Sequence, residues 1–144
     1  MDRRAFLFGA LGTASLFWQR PALALPRIAV IVNAKNPVKS LAIDEIEAIF
    51  KALRRSWSGG RRILPFNFPA RDALRVTFDR AALHMEPGAV ARYWIDQRVR
   101  GGQHPPTQVP SVKMMLQVVS NLETSIGYVP IGEVVSGVRV VAEV

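Results

Sequence analysis

Cysteine is absent from this chain of 144 residues, which excludes disulfides and thiolate metal sites and leaves packing alone to hold the fold. Histidine is scarce: His84 falls at a predicted helix end and His104 in a Gly-Gly-Gln-His-Pro-Pro loop, with no carboxylate or second histidine at metal-ligand spacing. There is no Gly-x-Ser-x-Gly elbow, no Ser-x-x-Lys pair and no glycine-rich phosphate loop with its lysine. The chain therefore offers no nucleophile, base and oxyanion constellation, and it reads as a non-enzymatic protein that needs no cofactor. Aromatic residues do not interleave with basic ones as a base-stacking surface requires, so nucleic acid is not an expected partner. Internal repeats and low-complexity segments are also missing.

What is present is most distinctive at the start. Met1-Asp2-Arg3-Arg4-Ala5-Phe6-Leu7-Phe8 leads into an apolar, small-residue run that closes at Ala22-Leu23-Ala24. A charged head, a short apolar run and a small-x-small exit have the layout of a secretory leader, too short and too broken by Gly9 and Gly12 for a spanning helix. Arg3-Arg4-Ala5-Phe6-Leu7 resembles the twin-arginine export signal, with Asp2 where that pattern prefers Ser or Thr. Residues 1–24 are thus expected to be a signal peptide of twin-arginine type, cleaved after Ala24. Residues 25–144 are then a single periplasmic domain with no stable membrane span.

Lys and Arg number 19 against 11 Asp and Glu, a net charge of +8, which favours anionic partners of every kind without choosing among them. Beyond the leader the basic residues are dispersed, with doublets only at Arg54-Arg55 and Arg61-Arg62.

Arg27 to Asn33 is a continuous apolar run rich in β-branched residues, the pattern of a strand buried on both faces. Helical spacing begins near Ala42 and places Ile43, Ile46, Ile49, Phe50 and Leu53 on one stripe, opposite Asp44, Glu45, Glu47 and Lys51. This helix is expected to run on to Arg54-Arg55, with acidic residues at its start and basic ones at its end, as its dipole favours. Ser58-Gly59-Gly60 reads as a turn. Arg62 to Phe68 reads as a strand that Pro65 places near an edge or a strand end. One helix follows from about Asp72 with Leu74, Phe78 and Leu83 inward, and another from Pro87 to the Gly101-Gly102 stop, carrying Val90, Tyr93 and Trp94. Ser111 caps a further helix with Val112, Met115, Leu116 and Val119 inward. Ile126–Val129 and Val138–Ala142 close the chain as strands. The alternation indicates an α/β domain, a mixed sheet with flanking helices, whose ligands gather at loops beyond strand ends.

Two loops meet that description, Asn33–Pro37 and Asn67–Asp72. Their polar residues Asn33, Asn36, Asn67, Arg71 and Asp72 are the candidate ligand-binding residues, because strand-end loops and helix N-termini present donors to anions. The same residue types serve turns and caps, so each is equally explained by local structure. Trp57, Tyr93 and Trp94 have the spacing of core residues but could also line a pocket.

Taken in order, the segments resemble part of the phosphate-binding periplasmic component of ABC transporters, within the type 2 periplasmic binding protein fold. The matching pieces are Val30-Ile31-Val32-Asn33 with Asn36-Pro37, the helix Asp44–Phe50, Trp57 before Gly59-Gly60, and Ile63-Leu64-Pro65. Arg75 to Phe78, Tyr93-Trp94, Gly102 with Pro105-Pro106, and Ile126–Val129 continue the match. The resemblance implies a truncated form of that fold, lacking the stretch of the first lobe that precedes this strand in the family. The family's Asp-Gly-Ser-Gly-Thr contact loop is here Ala70-Arg71-Asp72-Ala73-Leu74, without its glycines and hydroxyls. The implied function is an exported solute-binding-like domain that holds a small anion weakly, through Arg71 and the amides after Pro69, with Asn33 and Asn36 approaching from the other strand end. The alternative is a ligand-free interaction module for a periplasmic protein partner or transporter.

Overall fold

The computed structural model describes residues 27–144; the expected signal peptide 1–24 and the expected cleavage after Ala24 lie outside them. Five strands form one open sheet in the order β3-β2-β4-β1-β5. β1 is Ile28–Asn33, β2 Leu64–Asn67, β3 Thr107–Gln108, β4 Ser125–Pro130 and β5 Val138–Glu143. β2 pairs in parallel with both β3 and β4. β1 pairs antiparallel with both β4 and β5. Four strands therefore point one way and β1 alone runs against them. Every residue of β1 is buried, as its unbroken apolar run requires of a strand with a neighbour on each side and helices on each face. Helices flank both faces, so the fold class is α/β with a mixed sheet.

α1 (Ile43–Phe50) buries Ile46, Ile49 and Phe50. Ala42 offers its N-cap no side-chain acceptor, but the Glu45 carboxylate reaches back to accept the Ala42 N–H at 2.8 Å. The helix ends earlier than its periodicity suggests. Ala52 takes the left-handed conformation at φ 58, and the N–H groups of Leu53 and Arg54 both donate to Ala48 O, at 2.8 and 3.0 Å. Leu53 is consequently 69% exposed instead of completing the buried stripe, and Arg54-Arg55 lies beyond the helix.

α2 (Ala73–Ala82) is capped by Asp72, whose carboxylate accepts the Leu74 N–H at 2.8 Å. α3 (Pro87–Val99) opens on its proline and fully buries only Val90, with Tyr93 and Trp94 half-buried. α4 (Val112–Asn121) is capped by Ser111, whose hydroxyl accepts the Met114 N–H at 3.1 Å, and buries Met115 and Val119. Pro65 sits inside the sheet order, but β3 reaches only Phe66 and Asn67, so the proline falls where that side of β2 is uncovered.

Side chains alternate across β4. A Cβ on Gly127 would run into Met115 and Val119 of α4, whereas Tyr128 points the other way. Its ring stacks on Phe78 of α2 with centroids 3.8 Å apart and meets Phe50 of α1 edge-on at 5.9 Å. α4 thus covers one face and α1 and α2 the other.

Candidate functional site

The C-terminal end of β2 brings together Asn67, Arg71 and Asp72. Asn67 is buried, and its Oδ1 accepts the Phe68 N–H at 2.9 Å and the Tyr128 hydroxyl. A tight turn follows, with the Asp72 N–H donating to Pro69 O at 3.0 Å, and α2 begins at once. The first amides of α2 are the natural anion donors at this end of the sheet. One of them is already bonded to the Asp72 carboxylate, the chain's own anion. Arg71 is exposed and makes no ion pair among the described residues.

Asn33 and Asn36 lie at the opposite end of the sheet. β1 runs against its neighbours, so its last residues stand beside the first residues of β4 and β2: Val32 pairs with Ile126, and Leu64 with Ser125. Asn67 is a further 10 Å or so along β2. The Asn33 amide donates to Val119 O and Ser120 O at 2.9 and 3.0 Å, and its Oδ1 accepts the Lys35 N–H at 2.8 Å. Asn36 donates to Glu123 O at 3.3 Å and accepts the Val38 N–H at 3.0 Å. The Arg139 guanidinium then ties the same loop from outside, donating to the carbonyls of Asn36, Val38 and Ala34. Both carboxamides are engaged in fixing the turn to α4 and the loop after it, and the five candidates fall into two groups at opposite ends of the sheet.

The core also holds charged groups that the strand-end loops do not include. Arg75 and Asp79, one turn apart on α2, form a buried ion pair at 3.3 Å with side chains 7% and 4% exposed. Arg75 also donates to Phe68 O at 3.0 Å, tying α2 to the strand it follows. Asp79 Oδ1 has no partner among the described residues, and burial raises its carboxyl above the ordinary range against the opposing pull of Arg75. Burial likewise raises the Tyr128 hydroxyl, with the Asp79 charge adding to it, so it remains a hydrogen-bond donor to Asn67. The signal was present as an i,i+4 Arg–Asp pair bracketing Phe78 on the inward stripe. The cavity beside the pair, between Ala70, Pro87 and Trp94, has a volume of about 60 Å³, room for a water or two and no more. Arg75 and Asp79 are therefore parts of the core.

His84 and His104 are both exposed. No three metal-ligating side chains come together among the described residues. Trp57 is buried and donates its indole N–H to Thr124 O at 3.0 Å, while Tyr93 and Trp94 pack edge to face at 4.9 Å. Trp57 is a core residue, and Trp94 also borders the small cavity beside Asp79.

No family model and no curated protein matches the chain. Solved structures do. The chain is similar to an ABC-type phosphate transport receptor from Vibrio cholerae, with a TM-score of 0.65 and 20% identity over 81% of this chain and 46% of that one. It is similar to a candidate phosphate ABC transporter substrate-binding protein with bound phosphate from Clostridium perfringens, with a TM-score of 0.65 and 20% identity over 81% of this chain and 45% of that one. A candidate phosphate-binding protein from Planctomyces limnophilus gives a TM-score of 0.58 and 15% identity, over 81% and 41%. The chain spans less than half the length of each. The likeness is one of fold: the sheet and its helices correspond to part of a type 2 periplasmic-binding-protein-like architecture.

Proposed function

We propose that this protein is an exported, non-enzymatic solute-binding-like domain that meets small anions weakly, at the solvent-exposed start of α2. The observation that carries this reading is the Asp72 carboxylate on the Leu74 N–H. Tight capture of an anion needs its complete desolvation among many donors. Here the helix amides are partly satisfied from within, and the nearest inward guanidinium, Arg75, is committed to Asp79 and Phe68. Arg71 and the neighbouring amides remain, with Asn67 fixing the strand end beneath them. Such a site is open to water and to salt screening. The phosphate receptors of similar fold supply the ligand class, and the substituted loop supplies the weakness.

Isothermal titration of the purified protein with inorganic phosphate tests this. The expected dissociation constant is far above about 1 μM, weakens with added salt, and is lost in Arg71→Gln. A constant at or below about 1 μM, roughly −8 kcal/mol, overturns the weak-site reading and favours a transport receptor. Export is tested separately: Arg3→Lys with Arg4→Lys should leave precursor in the cytoplasm, and normal periplasmic accumulation of that variant would refute the twin-arginine route. Among the described residues no helix is long and apolar enough to cross a membrane.

A second reading, a protein-interaction module in a periplasmic sensing or transport assembly, is favoured by α3, which leaves Ile95 and Val99 59% and 80% exposed. Replacing both with Asp should then abolish partner assembly while leaving phosphate titration unchanged.

A further inference from the structure

The two basic doublets are brought together by a small hairpin. Ser56 and Arg62 are antiparallel bridge partners, the Ile63 N–H donates to Arg55 O at 2.8 Å, and the Trp57 N–H to Arg61 O at 2.9 Å. Gly60, at φ +82, allows the turn, and buried Trp57 pins the hairpin to the sheet through Thr124. Each doublet then divides in the same way. Arg54 pairs with Glu45 at 3.0 Å and stands over the Trp57 ring, and Arg61 pairs with Glu123 at 3.0 Å. Arg55 and Arg62 make no ion pair among the described residues. Both line one cleft, of about 210 Å³.

The rest of that cleft is mostly apolar. Ile49 and Ala52 come from the end of α1, Pro65 and Phe66 from β2, and Pro105 and Pro106 from the segment before β3. No carboxylate lines it; Arg54, already paired with Glu45, and His104 line it beside the two unpaired guanidiniums. None of Asn67, Arg71 or Asp72 belongs to it. The cleft lies along the side of β2 that β3 leaves uncovered, yet Pro65 has no N–H there to pair with an arriving strand. An extended peptide is therefore poorly served. The volume suits a ligand smaller than drug size.

We propose that this cleft binds a small organic carboxylate, its apolar body against Ile49, Pro65 and Pro106 and its head between the Arg55 and Arg62 guanidiniums. Arginine's planar fork matches a carboxylate, and two cations with no internal counter-charge leave an anion as the complementary group. The apolar wall separates this ligand from inorganic anions, and the site does not depend on the anion reading of the α2 end.

Benzoate supplies body and charge, benzyl alcohol the body alone, and inorganic phosphate the charge alone. Titrations of the purified protein followed by amide proton–nitrogen spectra should show saturable benzoate shifts at Ile63, Phe66 and Thr107. Benzyl alcohol should bind these positions about tenfold more weakly or worse, and Arg55→Gln with Arg62→Gln should weaken benzoate by about tenfold or more. Arg71→Gln should leave benzoate unchanged, which separates this site from the one at α2. The inference is overturned by an absence of saturable shifts up to about 10 mM benzoate, by equal affinity for benzyl alcohol, by phosphate saturating the same amides as well as benzoate does, or by a folded double variant that binds as the parent does. Were the double variant not to fold, the three probes on the parent protein would still decide between these outcomes.

Discussion

The face of the sheet beneath α1 and α2 is built from rings and a buried ion pair, whereas the face beneath α4 is aliphatic and closely approached. On the first, Phe50, Phe78, Phe68 and Tyr128 form a cluster of edge-on and stacked contacts, next to Arg75 and Asp79. On the second, Gly127 lets Met115 and Val119 rest directly on the strand. One face holds a buried guanidinium because the Asp79 carboxylate and the Phe68 carbonyl accept from it. The other packs aliphatic side chains closely against the strand, with the Asn33 amide on the Val119 and Ser120 carbonyls as its polar tie. Loss of volume should therefore hurt the first face most, and gain of volume the second.

The largest expected effect follows from removing a ring. Phe50→Ala should destabilise the protein by about 3–5 kcal/mol in urea denaturation, through lost burial and the cavity left behind. Gly127→Ala should cost about 1–3 kcal/mol, because the added methyl meets Met115 and Val119 in a full interior. If Gly127→Ala proved neutral, the close approach of α4 would not be a constraint and the contrast between faces would fail.

Acidity gives a finer probe. Burial raises the Asp79 carboxyl, so the native state holds that proton more tightly than the unfolded chain, whose value is near 3.8. The contribution is fully present below 3.8 and is lost as pH rises through the native value, with a slope of at most about 1.4 kcal/mol per pH unit. Asp79→Asn should lack this component, and identical stability–pH curves for the two proteins would remove the buried carboxyl from the account. Smallest of all, Glu47→Ala, on the solvent side of α1 with its partner Lys51 at 3.2 Å, should change stability by less than about 0.5 kcal/mol. An effect matching that of Phe50→Ala would mean that α1 packs the other way round.

Much of this contrast could be read in advance. Ile46, Ile49 and Phe50 on one stripe, Phe78 and Leu83 on the next, and Met115 and Val119 on the last identify the inward faces, and the run Ile28–Val32 identifies a strand covered on both sides. Leu53 was misplaced because periodicity does not register a backbone that leaves the helix at Ala52. β3 was not anticipated, since two residues carry no alternation to detect. The candidate site suffered from a different blindness. Strand direction is not encoded in a strand's composition, so nothing in Asn33-Ala34-Lys35-Asn36 reveals that β1 runs against its neighbours and carries this loop away from Asp72. The Arg75–Asp79 pair is buried, whereas charged residues one turn apart usually face solvent, so spacing alone does not single it out.

The position of β1 also sets the order of events as the chain folds. Its hydrogen-bonding partners are β4 and β5, with Ile28 opposite Pro130 and Val30 opposite Ala142, a separation on the order of a hundred residues. This strand, the most apolar among the described residues, is thus made before its partners and paired last. Until β4 and β5 emerge it is an unpaired β-rich segment of low charge, the kind that associates with other copies of itself. α1 and α2 can form meanwhile, but the sheet cannot close around its centre, so the interval between synthesis of β1 and of β5 is when the chain is most exposed to misassembly.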